Sequence, residues 1–194
     1  HDWNDIFECL NAIKEEIREN FPYKVLEVYG AEADDIIAAL CKELEFDNSK
    51  TLILSGDKDF VQLQKYSNVT QYSPITKKFV NGIDPSEYLH EHILKGDTSD
   101  GVPNVLSPDN TFVDGLRQRP LSKKKIAQWA GPMCEHQLPN DEIKRNYQRN
   151  KKLIDLTQSP PELHLECIEE YKNAKEGDRS KLLNYFIKNK LQEL

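Results

Sequence analysis

The chain has 194 residues, 38% of them hydrophobic and 30% charged, a composition that fits a soluble globular protein of one full domain or two small ones sharing a core. No run nears the roughly 18 uninterrupted apolar residues of a spanning helix, the start His1-Asp2-Trp3 has no charged-then-apolar export segment, and the four cysteines (Cys9, Cys41, Cys134, Cys167) form no C-x-x-C pair. A membrane protein, a zinc ribbon and a disulfide scaffold are disfavoured, free thiols in a reducing cytoplasm are expected, and the net charge of −7 argues against a generic nucleic-acid coat protein.

Trp3, Ile6, Phe7, Leu10, Ile13 and Ile17 recur at spacings of three and four, which predicts one buried helical face closed by Pro22. A short strand is predicted at 24–28. Gly30 then precedes a second stripe, Ala33, Ile36, Ile37, Leu40 and Leu44, whose first turn carries Glu32, Asp34 and Asp35. Acids there favour the positive end of a helix. Thr51-Leu52-Ile53-Leu54 reads as a strand covered on both faces, as in a parallel sheet. A short helix at 60–66, a strand at 69–72 and an edge strand at 77–80 follow. Beyond Pro85 the strand signal fades, and helices are predicted at 86–95, 122–130, 141–157, 162–173 and 179–191. The fold class is therefore α/β, a mostly parallel sheet with flanking helices over 1–80, followed by a smaller all-helical domain over 81–194.

Three acidic clusters fall where loops leave regular elements: Glu32-Ala33-Asp34-Asp35, Asp57-Lys58-Asp59 and Asp97-Thr98-Ser99-Asp100. Their seven carboxylates equal the whole negative excess. Asp57 and Asp59 lie just past an apolar strand, at the carboxyl end where open parallel sheets place ligands. Oxygen ligands without histidine or cysteine select magnesium, with manganese as a substitute, over zinc. Gathering the carboxylates without a cation would raise some of their pKa values by mutual repulsion. Two divalent ions form a clamp for displacement at a phosphodiester, so hydrolysis of that bond is the implied chemistry. The competing reading is local: aspartate favours turns and helix caps. On an ideal helix residues 32 and 35 share a face and 34 is turned about 200° away, so the three converge only if Glu32 precedes the first turn. Asp35 could then simply satisfy the helix end.

Residues 117–152 hold ten basic and three acidic side chains, against ten and 22 in 1–116. Most of these bases read as solvated faces. Ser122-Lys123-Lys124-Lys125 is different, because three lysines at a helix start oppose its dipole and a backbone phosphate would relieve them. Gly96 to Gly101, followed by Pro103, marks a loop between helices, compatible with a helix-loop-helix grip on duplex phosphates. His90 and His92 flank Glu91 within a predicted helix, where positions two apart diverge, so a metal role for them is disfavoured.

The chain resembles the flap-endonuclease or 5′-nuclease superfamily, in its phage ribonuclease H branch. The resemblance rests on Glu32-Ala33-Asp34-Asp35-Ile36-Ile37-Ala38, on Ser55-Gly56-Asp57-Lys58-Asp59-Phe60 with Gln62-Leu63, on Lys65-Tyr66-Ser67-Asn68-Val69, on Ser73-Pro74 with Lys77-Lys78, and on Leu94-Lys95-Gly96-Asp97 with Asp100. It implies a PIN-like nuclease core and a magnesium-dependent 5′-to-3′ nuclease that removes RNA primers or 5′ flaps from duplex DNA during replication. It further implies Asp34, Asp57 and Asp59, with Glu32 nearby, as the residues serving a tightly held ion, and Asp97 and Asp100 as serving a second, partly through water. The Gly96 loop would belong to the family's helix-turn-helix variant, and a single-strand-binding protein and a sliding clamp would be partners. The resemblance also implies an upstream strand with an essential aspartate and a basic arch, which do not occur in these residues. A fragment with an incomplete site, inactive by itself, is thus expected. Where the family often has a Gly-x-Gly turn, Gly101 is followed by Val102-Pro103-Asn104-Val105 and a longer insert through Phe112.

The rival of a different class is a non-catalytic DNA-binding module with structural cations. A D-x-D phosphotransferase is disfavoured because the expected threonine does not follow Asp59. An EF-hand fails because Gln62 stands where its loop needs glycine.

Overall fold

A computed structural model describes residues 2–47, 49–130 and 137–191. Helix α1 (Trp3–Asn20) starts on the Asp2 side chain, which accepts from the Asn4 and Asp5 amides, and stops at Phe21 before Pro22. The helix is where periodicity puts it, but its expected burial is not: Trp3, Phe7, Leu10 and Ile13 are each more than half exposed, and no residue of α1 is buried. A stripe reports an apolar face and says nothing of what covers it. The helix is anchored through its C-terminal part, where the Phe21 ring meets Tyr185 and Phe186 at 5.2 and 5.9 Å and Lys14 pairs with Glu27 at 2.7 Å. Residues 24–28, expected as a strand, join no ladder; Lys24 instead donates to the Tyr171 carbonyl at 2.7 Å and lies over that ring.

Helix α2 (Ala33–Phe46) leads to β1 (Thr51–Leu54), a 3₁₀ helix (Asp59–Lys65), β2 (Val69–Ser73) and β3 (Lys78–Phe79). The sheet order is β1-β2-β3. β1 and β2 are parallel, Thr51 opposite Val69 through Leu54 opposite Tyr72, while β2 and β3 are antiparallel. β1 is not covered on both faces as expected: Ile53 is buried, whereas Leu52 and Leu54 are 50% and 66% exposed. The pleat sends alternate side chains to opposite faces, and α2 with the 3₁₀ helix covers one of them, through Ala38, Cys41, Phe60 and Leu63 packed with Ile53 of β1 and Val69 of β2.

Beyond β3 the regular elements are helical, as expected: α3 (Pro85–Lys95), α4 (Lys123–Trp129), α5 (Asp141–Ile154), a 3₁₀ turn (Leu156–Gln158), α6 (Pro161–Asn173), a second 3₁₀ turn (Arg179–Lys181) and α7 (Leu182–Lys188). The helix predicted over 141–157 ends earlier because the Asp155 carboxylate turns to accept from the Thr157 amide and hydroxyl at 3.0 and 2.7 Å. Residues 96–122 contain no helix, so α3 and α4 are joined by a long loop in place of a compact turn. Buried side chains of α5 hold that loop. Asn150 donates to the Ile93 and Pro103 carbonyls at 2.8 and 2.9 Å, Asn146 to Val105 at 3.0 Å, and Arg149 to Pro103 at 2.8 Å. Together they keep the Ile93, Pro103 and Val105 carbonyls paired, and an unpaired buried carbonyl costs roughly 1–3 kcal/mol.

Ile93, Leu94, Val105, Ile126, Trp129 and Tyr147 form the core of the helical part. The two parts share contacts across residue 81. Ile36 and Ala39 of α2 pack on Cys167 and Ile168 of α6, and buried Gln62 donates to the Ile154 carbonyl while accepting from the Leu156 amide. Cys9, Cys41 and Cys167 are free thiols, the last two buried, and Cys134 lies outside the described residues. No described helix is long and apolar enough to cross a membrane.

Candidate metal centre

Glu32 occupies the N-cap of α2, ahead of the first turn, with extended backbone. That placement meets the condition for Glu32 and Asp34 to face the same cleft. Asp35 goes the other way: one carboxylate oxygen accepts from the Glu32 amide at 3.0 Å and the other from the Ser159 hydroxyl. Expected among the metal ligands, Asp35 instead turns both oxygens to closing the helix end and tying it to the segment before α6.

Asp57 and Asp59 follow β1 in a turn tightened from within. The Ser55 hydroxyl accepts from the Asp57 amide at 3.1 Å, and the Asp57 carboxylate from the Asp59 amide at 3.0 Å. Gln71, on the inward side of β2 and fully buried, donates to the Ser55 and Asp57 carbonyls at 3.0 and 2.5 Å. Asp59 opens the 3₁₀ helix whose Phe60, Val61 and Leu63 are sunk in the core, so its position is fixed by packing. The third segment arrives from α3. Gly96 has φ of 68°, and a Cβ there would stand 2.3 Å from the Val102 carbonyl oxygen, so only glycine permits the loop to fold back on itself. The Asp97 carboxylate then accepts from the Ser99 amide at 2.8 Å and from the Ser99 hydroxyl, and Gly101 reverses the chain with φ of 73°.

Glu32, Asp34, Asp57, Asp59, Asp97 and Asp100 line one cleft of about 570 Å³. Six of the seven expected ligands are thus gathered. Carboxylate oxygens of Asp34, Asp57 and Asp59 lie within 4.8 Å of one another, and atoms of Asp59, His92 and Asp97 do the same, so Asp59 belongs to both groups. His92 was disfavoured in the sequence by comparison with His90. The comparison was with the wrong partner: His90 turns to the Tyr147 hydroxyl at 2.9 Å, while His92 meets two aspartates from other segments. Its place one turn before Gly96 was the available signal. Gln71 was also missed, and its signal was a polar residue at an inward strand position.

The electrostatics differ across the cleft. Burial pushes the Asp34 pKa up to about 6, with the charges of Asp57, Asp59, Glu32 and Asp35 adding to it. Asp59 is likewise raised by burial and by its acidic neighbours, with His92 acting against them. Tyr88 beside them is pushed up to about 12, first by burial and then by Asp59 and Asp57. Asp97 is lowered, chiefly by the Ser99 hydroxyl. A carboxylate trio in which Asp34 and Asp59 are held above their ordinary range by burial and like charge fits a hard divalent cation, which would replace mutual repulsion by attraction.

Lys123, Lys124 and Lys125 are exposed on the first turn of α4, capped by the Ser122 hydroxyl. Arg145 and Arg149, from the same basic stretch, are taken up by Asp109.

Residues 4–92 match the family described as 5′-3′ exonuclease, N-terminal resolvase-like domain, and residues 86–194 match that described as T4 RNase H, C terminal. The ribonuclease H of Enterobacteria phage T4 is 33% identical over 199 residues, which cover 100% of this chain and 65% of that protein. A 5′-3′ exonuclease of Buchnera aphidicola subsp. Schizaphis graminum is 38% identical over 96 residues, 46% of this chain and 33% of its own length. The chain therefore spans just under two thirds of the first relative. Among solved structures, a mutant T5 5′-exonuclease superposes with a TM-score of 0.60 at 20% identity, covering 96% of this chain and 75% of the other. A T5 protein co-crystallised with metal ions gives 0.55 at 18% identity, covering 97% and 70%.

Proposed function

The chain belongs to the T4 RNase H family of the 5′-nuclease superfamily, and on that premise we propose that the protein carrying it is a magnesium-dependent 5′-to-3′ nuclease, with manganese as a substitute ion. Its substrate is duplex DNA or an RNA-DNA hybrid with a 5′ end or flap. The observation that carries the reading is the convergence of Asp34, Asp57 and Asp59, from two separate segments, on one point within 4.8 Å. These three hold one ion. Glu32 lies near that ion through its place beside Asp34, and Asp97 and Asp100, partly through water, serve a second. The ions would supply an activated water and stabilise the leaving oxygen of the phosphodiester. Gln71 keeps Asp57 and Ser55 in register, and Gly96 and Gly101 shape the loop that presents Asp97. Lys123, Lys124 and Lys125 meet backbone phosphates. A single-strand-binding protein and a sliding clamp are the proposed partners in replication.

The test is cleavage of a 5′-tailed duplex with magnesium by the protein that carries these residues. Asp57→Asn or Asp59→Asn should lower the rate at least 10³-fold while duplex affinity stays within several-fold, since an ion site is lost and the phosphate contacts remain. Full turnover in both variants overturns the metal assignment; binding without any cutting by the unaltered protein favours a DNA-binding module with structural cations. Replacing Lys123, Lys124 and Lys125 with glutamine should flatten the slope of log affinity against log salt by about 0.9 per lost phosphate contact. An unchanged slope returns them to an ordinary solvated face.

A further inference from the structure

His92 sits in the last turn of α3 with its ring between two carboxylates. Nε2 is 3.0 Å from an Asp97 oxygen, a hydrogen-bonding distance, and Nδ1 is 3.4 Å from an Asp59 oxygen. Nδ1 is buried and has no hydrogen-bond partner. Asp97 can accept from Nε2 only if that nitrogen carries the proton, so a neutral ring turns the bare lone pair of Nδ1 toward Asp59. A lone pair facing a carboxylate is repulsive unless a proton or a cation lies between them. Asp97 already has partners on both oxygens, the Ser99 donors on one and the histidine on the other, which leaves it contact with an ion through water. A ring nitrogen oriented by a carboxylate on the opposite nitrogen is how metal-bound histidines are usually held. Two ligand bonds of about 2.1 Å at the right angle of an octahedral ion span about 3.0 Å, so closing the 3.4 Å gap by about 0.4 Å would seat one ion between imidazole and carboxylate.

We propose that Nδ1 of His92 is a direct ligand of the divalent ion held by Asp59, and that Asp97 is the carboxylate that sets the tautomer and orientation of the ring. This rests on the metal reading given above and adds to it a nitrogen donor. Imidazole in a shell of oxygens tilts affinity toward manganese or cobalt and away from magnesium. Ion preference is thus written into α3, outside the three carboxylates that would hold magnesium by themselves.

The experiment is a titration of the 194-residue chain with Mn²⁺ in the absence of nucleic acid, followed by pulsed EPR of the bound ion. A ¹⁴N modulation is expected, converted by selective ¹⁵N labelling of histidine in the unaltered chain and lost in His92→Gln. The ratio of Mn²⁺ to Mg²⁺ affinity should fall in that variant by about tenfold, and Asp97→Asn should weaken Mn²⁺ by about 10–100-fold, the usual effect of losing an orienting partner. Bound Mn²⁺ without nitrogen modulation, or the same modulation in His92→Gln, overturns this proposal and leaves the carboxylate ion site standing. Failure to bind Mn²⁺ at millimolar concentration overturns both.

Discussion

The two sides of the acidic cleft meet at Asp59 and are built in opposite ways. On one side Asp34 and Asp57 face each other and Asp59 with no basic side chain between them, and burial and like charge push Asp34 up to about 6. On the other, Asp97 is wrapped in donors from its own loop and from His92, and sits below its ordinary value. One side is incomplete without a cation from outside; the other brings its partners with it. A cleft with both kinds of wall has room for one ion held by charge alone and a second group oriented before any ion arrives.

The comparison breaks most sharply at Gly96. Gly96→Ala places a methyl group against the Val102 carbonyl at positive φ, so we expect a loss on the order of 3 kcal/mol in urea unfolding. Ion binding at Asp34, Asp57 and Asp59 should persist in the folded fraction while the His92–Asp97 contact goes. An intermediate effect is expected from Asp34→Asn. Because the folded pKa of about 6 lies above the ordinary value of 3.8, the stability that Asp34 contributes is complete below pH 3.8 and is lost as pH rises through 6. The ion-free variant should therefore exceed the unaltered chain by about 1–2 kcal/mol above pH 6.5, after allowance for a half-exposed group. The gap should shrink below pH 4, and should close or invert on adding Mg²⁺. Thermal melts at pH 4.5 and 7.5 read it directly. The smallest effect belongs to Ser99→Ala, which removes the main donor that lowers Asp97. Here the sign is opposite: the contribution exists above pH 3.8 and fades as pH falls through the lowered folded value. A deficit of about 0.5–1 kcal/mol is expected at pH 7, disappearing once Asp97 is protonated in both states. If both variants shift stability in the same direction with pH, the contrast between the two sides is wrong.

Much of this site could be read without coordinates. Glu32 and Asp34 were placed by the cap and first turn of one helix, and Asp57 and Asp59 by the end of one strand, features set within a few residues of chain. Asp35 was expected with the metal ligands, and its turn toward the helix end is completed by Ser159, far along the chain. His92 was passed over for a related reason. Spacing compares a residue with neighbours on its own helix, whereas its partners come from the 3₁₀ helix after β1 and from the loop after α3. The α1 stripe and the β1 run show a third kind of limit, where the apolar pattern was right and the cover expected for it was absent among the described residues.

Sequence alone determined the helical periods, the capping acids, the glycine breaks and the family resemblance, because each depends on backbone sterics and side-chain order over a turn or two. Tertiary structure decided which six carboxylates share a cleft, which aspartate turns away, that a histidine joins them, and which apolar faces are left open. Those outcomes depend on where distant segments are brought by packing around Ile53, Leu63 and Leu94, and no local pattern carries that distance.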